Sequence, residues 1–82
     1  MFDKLKQINE LRHIQQQIKQ QRVETEKQGI KVAMRGDFQV ESITLNPALD
    51  TRTQEKLLVQ CINEAKDKIQ QMLAKDFAGK FL

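Results

Sequence analysis

The chain is poor in the residues that build catalytic and metal centres. Its 82 residues include one histidine, one cysteine, no tryptophan and no tyrosine. His13 has no serine, cysteine or paired carboxylate at a spacing typical of catalysis, so we expect it to be an exposed helix histidine. One cysteine and one histidine cannot supply the usual soft ligand set of a zinc site. We therefore expect no enzyme activity, no metal site, no cofactor and no small-molecule substrate.

Glycine and long apolar runs are equally scarce. The three glycines form neither of the phosphate-loop patterns GxxxxGK[ST] and GxGxxG. No segment approaches the roughly 18 apolar residues of a membrane span, and no stretch typical of a secretory signal follows Met1–Lys4. The lone Cys61 rules out an internal disulfide and suits a reducing compartment, where we expect an inert buried thiol. These absences favour a single cytoplasmic domain over residues 1–82 that has no contact with a membrane.

The chain does carry a modest positive charge, which is unevenly placed. The formal net charge is +3 and the pI is about 9.2. Residues 1–28 and residues 51–82 each contain six basic and four acidic residues, whereas residues 29–50 contain two basic and three acidic ones. The run from Leu11 to Val23 has no acidic side chain and mixes basic residues with glutamines. Such a run either contacts phosphates or forms a solvated helix face, and its charge pattern alone favours the solvated face.

Apolar residues at helical spacing predict a helix at the start of the chain. An apolar residue recurs every three or four positions from Phe2 to Ile18, which predicts a long helix over about residues 2–22. Alternating β-branched residues then predict a short strand over about residues 23–26. The alternative is that the helix continues to Gln28, with Gly29 as its C-terminal stop.

The middle of the chain predicts a β-hairpin with a bulge. Alternating apolar residues indicate strands over about residues 30–35 and 38–46. We expect the loop to be Arg35–Asp37, a type I turn plus a glycine bulge, in which Gly36 supplies a positive φ. The apolar alternation changes parity inside the second strand, which predicts a β-bulge near Glu41–Ser42.

A second amphipathic helix is predicted over about residues 52–77. Its apolar residues from Leu58 to Met72 step by four and three, a spacing that suits packing against another helix. Asp50 and Thr51 offer N-caps. We expect Gly79 to stop or loosen this helix.

One copy of this layout has too little sheet for its helices. A helix of 26 residues is about 39 Å long, whereas a strand of seven residues is about 23 Å long. The small sheet would also leave its edges open. Two copies joined through their sheets address both problems, and two-fold dimers are the commonest oligomers.

We therefore predict an α+β fold with a long N-terminal helix, a small antiparallel β-meander of two or three strands and a long C-terminal helix. It is expected to form a sheet-mediated homodimer with projecting helical arms. The residues expected in the core or the dimer interface are Ile30, Val32, Met34, Phe38, Val40, Ile43, Leu45, Leu58, Ile62 and Ala65.

Several short motifs follow one another in a fixed order. They are Gly29-Ile-Lys-Val, then Gly36-Asp37, then Val40-x-Ser42-Ile43-x-Leu45-x-Pro47-x-Leu49, and Asn63-Glu64-Ala65 in the second helix. Together with the Gln-rich first helix, they resemble the YbaB/EbfC family of bacterial nucleoid-associated proteins over nearly the whole chain. The chain departs from the family in having little of the Gly-rich stretch before the first core strand and almost none of the Met/Gly-rich tails.

The resemblance implies a cytoplasmic, nucleoid-located homodimer whose helical arms bind duplex DNA mainly through phosphate contacts. Bridging or bending of DNA and an influence on gene expression are part of this expectation. The basic residues expected to contact DNA are Arg12, Lys19 and Arg22 in the first helix and Lys68, Lys75 and Lys80 in the second.

The rival hypothesis is a dimeric protein-interaction module without a DNA function. In that case the exposed helical stripes and the Phe81–Leu82 tail would bind another protein. An RNA-binding role is a further alternative that the sequence leaves open.

Overall fold

The chain folds as two helices and one antiparallel sheet, which confirms the predicted α+β class. The structure is a computed structural model that describes the backbone of residues 2–81 and the side chains of residues 10–75. In chain order the elements are α1 (Phe2–Gln20), β1 (Arg22–Lys27), β2 (Ile30–Arg35), β3 (Val40–Thr44) and α2 (Thr51–Phe81). The strands form a meander in the order β1-β2-β3, with β1 and β3 at the edges.

The β1–β2 connection is a two-residue hairpin turn. Gln28 and Gly29 have φ angles of 51° and 85°, the pair of positive values that a type I′ turn requires. The Asn46 side-chain amide donates a hydrogen bond of 2.8 Å to the Gln28 carbonyl and supports the turn. The alternative in which the first helix continues to Gln28 is therefore wrong, because Val23 and Thr25 already belong to a strand.

The β2–β3 connection lies one residue later than expected. The Arg35 N–H donates to the Gln39 carbonyl at 2.8 Å, and the Phe38 N–H donates to the Arg35 carbonyl at 3.0 Å, so the loop is Gly36–Phe38. The positive φ falls on Phe38, at 65°, and not on Gly36. The expected role of Gly36 is thus wrong, and the reason for a glycine there is its contact with α1.

Strand β3 contains the predicted bulge and is shorter than expected. Ala33 pairs with Ser42 and Met34 pairs with Val40, so Glu41 is the extra residue on β3. The strand begins at Val40 and ends at Thr44. After it, the Asn46 side-chain oxygen accepts a hydrogen bond of 3.1 Å from the Ala48 N–H, which turns the chain toward α2.

Helix α2 covers β1 and β2 and forms the core with them. Its central buried row is Leu57, Cys61, Ala65 and Ile69, against Ile30, Val32 and Met34 of β2. The expected stripe ran from Leu58 to Met72; its members Ala65 and Ile69 are buried, whereas Leu58 and Ile62 are only half-buried. Steps of four residues advance by about 400°, so the buried row winds slowly around α2 and suits packing on a twisted sheet.

One buried hydrogen bond joins β1 to the middle of α2. The Thr25 hydroxyl, in a residue that is 4% exposed, donates to the Cys61 carbonyl at 2.8 Å. The Cys61 thiol is itself buried and lies 3.7 Å from the Ile30 carbonyl. Among the described side chains, every buried polar atom has a hydrogen-bond partner.

Helix α2 continues beyond its expected end near Phe77. It passes through Gly79 and ends at Phe81, so Gly79 does not stop it. A glycine inside a helix costs about 1 kcal/mol relative to alanine, which a helix of 31 residues can tolerate. The side chain of Phe81 and the whole of Leu82 lie outside the described residues.

Candidate nucleic-acid interface

Helix α1 stands away from the core over its described part. None of the side chains from Glu10 to Gln20 is buried, and the apolar Leu11 is 53% exposed. The helix meets the sheet at its C-terminal end, where Ile18 and Gln21 lie against Gly36. The molecule measures 59 Å by 19 Å by 14 Å. We call α1 the arm, because none of its described side chains is buried.

Two of the residues expected to contact DNA share one face of this arm. Arg12 and Lys19 are seven positions apart, which corresponds to two helical turns or about 10.5 Å. Both are exposed, and neither forms an ion pair with any described side chain. Gln16 lies between them on the same face and is exposed, so its amide can donate further hydrogen bonds. This Arg12–Lys19 face therefore presents two positive charges that no described side chain pairs with.

The basic residues of α2 have the same spacing, but one of them is held in an ion pair. Lys68 and Lys75 are both exposed and seven positions apart. The Lys68 ammonium lies 3.6 Å from Glu64 Oε1, and the second oxygen of Glu64 lies 3.3 Å from the Lys27 ammonium. Lys75 forms no ion pair with the described side chains, and the side chain of Lys80 lies outside them. Lys75 is thus the more available of the two described lysines.

Arg22 has its charge compensated by two carboxylates. Its Nη2 lies 3.0 Å from Glu24 Oε1, and its Nε lies 3.1 Å from Glu41 Oε2. Glu41 is the bulge residue of β3, so Arg22 spans the sheet from one edge strand to the other. The sequence shows Glu24 beside Arg22, but only the fold brings Glu41 near. Arg22 is consequently placed to brace the sheet and is a weaker candidate for phosphate contact than Arg12 or Lys19.

A further basic pair was missed by the sequence reasoning. Arg52 and Lys56 lie four positions apart in the first turns of α2, where both are exposed and unpaired among the described side chains. Their spacing was the available signal, but Glu55 between them made the segment look charge-balanced. They lie at the opposite end of α2 from Lys75, so they do not join its surface.

Arg35 is not available to a phosphate, because it binds Asp37. Arg35 Nε and Nη2 donate to the two carboxylate oxygens of Asp37 at 3.0 Å and 2.7 Å. The hydrogen bonds from Arg35 hold the pKa of the Asp37 carboxyl below its ordinary value. This bidentate pair stabilises the Gly36–Phe38 loop.

The ten residues expected in the core or the dimer interface separate into three groups. Four are buried inside the single chain: Ile30, Val32, Met34 and Ala65. Two are half-buried against the core: Leu58 and Ile62. Four are between 42% and 54% exposed on β3 and beside it: Phe38, Val40, Ile43 and Leu45. We call these last four the β3 apolar row.

The β3 apolar row lies on the side of the sheet that carries α2. Ile43 pairs with Val32, and Val40 pairs with Met34, and residues paired across antiparallel strands point to the same face. Helix α2 packs on β1 and β2 and leaves this row uncovered. An apolar row on an edge strand is a surface that folded proteins usually cover.

Three further features of the described residues concern metal ligands, His13 and the apolarity of the helices. No group of three or more His, Cys, Asp or Glu among them could hold a metal ion. His13 is exposed on α1, where it accepts a hydrogen bond of 3.2 Å from the Gln17 amide. Within residues 2–81, neither helix combines the length and apolarity that a membrane crossing needs.

A comparison with family models finds the YbaB/EbfC DNA-binding family, whose model matches residues 1–80. No curated protein and no solved structure gives a significant match. The family match covers both helices and the sheet between them. It confirms the resemblance found in the motifs, and the chain belongs to the YbaB/EbfC DNA-binding family.

Proposed function

We propose that the protein is a homodimeric, nucleoid-associated protein of the bacterial cytoplasm that binds duplex DNA through phosphate contacts from its helical arms. The family is a DNA-binding one, which supports a nucleic-acid partner. The observation that carries the proposal is the Arg12–Lys19 face, because it is exposed on the arm and forms no ion pair with the described side chains. Lys75 extends the basic surface on α2, Lys68 and Arg22 contribute less, and Lys80 is proposed from its position in the sequence alone.

Phosphate contact suits the chemistry of these arms. Lysine and arginine neutralise phosphates and release counterions, and glutamine amides donate hydrogen bonds to phosphate oxygens. Such contacts carry no base sequence directly, so we expect weak discrimination between sequences. The expected signature is an affinity that falls steeply as the salt concentration rises.

The surface of the single chain supports a second copy. The chain exposes 6421 Å², whereas a compact monomer of 9.6 kDa exposes about 5,100 Å². Its radius of gyration is 16.7 Å, against about 12 Å for a compact domain of this length. The difference in area exceeds the roughly 800 Å² that each partner hides in a standard interface. The β3 apolar row is the surface that we assign to this interface.

A dimer gives the arms their function in this proposal. Two-fold symmetry places a second set of arms on the other protomer, so one dimer presents two basic surfaces. Two such surfaces could bridge separate duplexes or bend one duplex, with an influence on gene expression.

The test is a charge reversal with a matched control. We expect Arg12→Glu/Lys19→Glu to lower the affinity for unrelated duplexes about equally, by roughly tenfold or more, and to flatten the salt dependence. The control, Arg52→Glu/Lys56→Glu, changes the net charge equally at the other end of the molecule and should retain most of the affinity. Gel shifts at several salt concentrations measure both, and light scattering checks that the dimer is intact. Equal losses of affinity in the two variants would show that the arm acts only through the net charge of the protein.

A protein-interaction module is the second candidate function. Leu11 on α1 and Val59 on α2 are 53% and 57% exposed, which favours an apolar contact outside the single chain. A pull-down from lysate with and without nuclease separates the two functions, since protein partners survive the nuclease and nucleic-acid partners do not. Titrations against single strands and RNA beside duplex DNA decide which nucleic acid is preferred.

A further inference from the structure

The joint between α1 and the sheet is short. Gln21 is the only residue between the end of α1 and the start of β1. Its N–H donates to the Ile18 carbonyl at 3.1 Å, and its carbonyl accepts the Gly36 N–H at 2.9 Å. Because Arg22 already pairs with Arg35, the Gly36–Gln21 bond extends the β1–β2 ladder into the joint. The last turn of α1 is thereby tied to the Gly36–Phe38 loop.

Gly36 is a glycine because the backbone of α1 passes over it. A Cβ at this position would overlap the Ile18 carbonyl oxygen and would lie 3.0 Å from both the Ile18 carbonyl carbon and the Gln21 Cβ. Two of these atoms are backbone, so no side-chain rotation can relieve the overlap. The φ of Gly36 is not in the left-handed region, which leaves this close approach as the reason for the glycine.

Any change at this joint is transmitted along the arm. None of the described side chains of α1 is buried, and α1 packs on the body of the molecule at β2. Arg12 lies about 9 Å from Ile18 along the helix axis, and the helix continues to Phe2. A tilt that makes room for a methyl group at residue 36 therefore displaces the whole Arg12–Lys19 face.

We infer that Gly36 is a positioning residue that sets the direction of the α1 arm and, through it, the placement of the Arg12–Lys19 face on DNA. The arm is then a rigidly aimed element and not a freely swinging tail. The inference about DNA rests on the proposed function, whereas the inference about the joint rests on the geometry of Ile18, Gln21 and Gly36 alone.

The first part of the experiment measures the arm without DNA. Nitroxide labels are placed on Gln16→Cys and Gln70→Cys, two exposed positions on α1 and α2, with Cys61 replaced by alanine. The labelled protein is diluted into an excess of unlabelled protein, so that distances within one chain dominate. We expect Gly36→Ala to shift the distance distribution, because the Ile18 carbonyl has to move. Should Gly36→Ala fail to fold, Gln21→Gly frees the joint without adding atoms and should broaden the distribution.

The second part measures duplex affinity on unlabelled protein that retains Cys61. We expect Gly36→Ala or Gln21→Gly to bind DNA roughly threefold or more weakly, as misplaced phosphate contacts are lost. The matched control is Gly29→Ala, which places the same methyl group at a glycine with φ of 85° in the other hairpin, away from α1. It should lower the melting temperature while leaving both the label distance and the affinity unchanged.

The outcomes test the role of Gly36 in placing α1 separately from the proposed DNA binding. An unchanged label distance in folded Gly36→Ala or Gln21→Gly protein would overturn the inference, as would a displaced arm with full DNA affinity. A wild-type protein that binds no DNA would defeat the proposed function, and the label distances would still decide whether Gly36 aims the arm.

Discussion

The two helices carry apolar residues at similar spacing, yet among the described side chains the single chain buries an apolar row of α2 and no residue of α1. The central row of α2, from Leu57 to Ile69, is between 0% and 8% exposed. On α1, Leu11 is exposed and Ile14 and Ile18 are half-buried. The connections explain the difference. The segment after β3 returns α2 across the sheet, whereas the one-residue joint at Gln21 sends α1 away from it. An amphipathic pattern thus predicts a helix with a partner, but the chain topology decides whether that partner is in the same chain.

Truncating one apolar residue on each helix tests this difference in burial. Ile69→Ala should lower the free energy of unfolding by about 2–5 kcal/mol, because it opens a cavity in a fully buried site. Ile14→Ala should cost about 1 kcal/mol or less, since Ile14 is only half-buried. Denaturant unfolding followed by circular dichroism measures both at one fixed protein concentration. Similar losses in the two variants would show that α1 is as firmly packed as α2.

The second prediction concerns the surface that α2 leaves uncovered. Ile43→Lys puts a charge into the β3 apolar row and should weaken dimer association by at least about tenfold. Thr44→Lys is the control, because Thr44 follows on the same strand and points to the opposite face. Sedimentation over a range of concentrations gives both dissociation constants. A dimer that tolerates Ile43→Lys but not Thr44→Lys would move the interface to the other face of the sheet.

The third prediction concerns the Gly36–Phe38 loop, against which α1 ends. The lowered pKa of Asp37 means that its pair with Arg35 stabilises the fold above the ordinary aspartate pKa of about 4. That contribution is lost as the pH falls through the lowered pKa. Asp37→Asn should therefore be less stable than the wild type at neutral pH, and the difference should shrink in acid. Thermal melts across this pH range measure it, with Asp67→Asn on the exposed face of α2 as the control. A difference that persists in acid would assign the effect to lost packing.

Local patterns predicted much of the fold because their causes are local. The parity change between Val40 and Ile43 predicted a bulge near Glu41–Ser42, and the register confirms one there with Glu41 as the extra residue. The alternation of Val23 and Thr25 indicated the first strand. The β2–β3 loop was displaced by one residue because a glycine in a turn suggests a positive φ. The contact of Gly36 with Ile18 is long-range and leaves no local trace.

The candidate site was less predictable than the fold for the same reason. A basic residue in the sequence shows its charge but not the carboxylates that folding brings near it. Arg22 looked equivalent to Lys19, yet the bulge carries Glu41 to Arg22 and leaves Lys19 free. In the same way, the sequence could not show which of the expected core or interface residues are buried within one chain. Val32 and Ile43 are equally apolar neighbours on paired strands, and only the position of α2 distinguishes them.

The hydroxyl of Thr25 has an influence well beyond the core in which it is buried. By donating to the Cys61 carbonyl, it adds to the buried apolar row of α2 a preference for one rotation of the helix on the sheet, because a slip by one residue would leave that hydroxyl without its acceptor. Each residue of a helix advances by about 100°, so such a slip would swing Lys68 and Lys75 by more than a quarter of a turn. Thr25 therefore helps to fix the direction in which Lys68 and Lys75 point, two and four turns further along α2. A Thr25→Val substitution would remove this hydrogen bond while preserving the shape of the core, so that the apolar row alone would fix the rotation of α2.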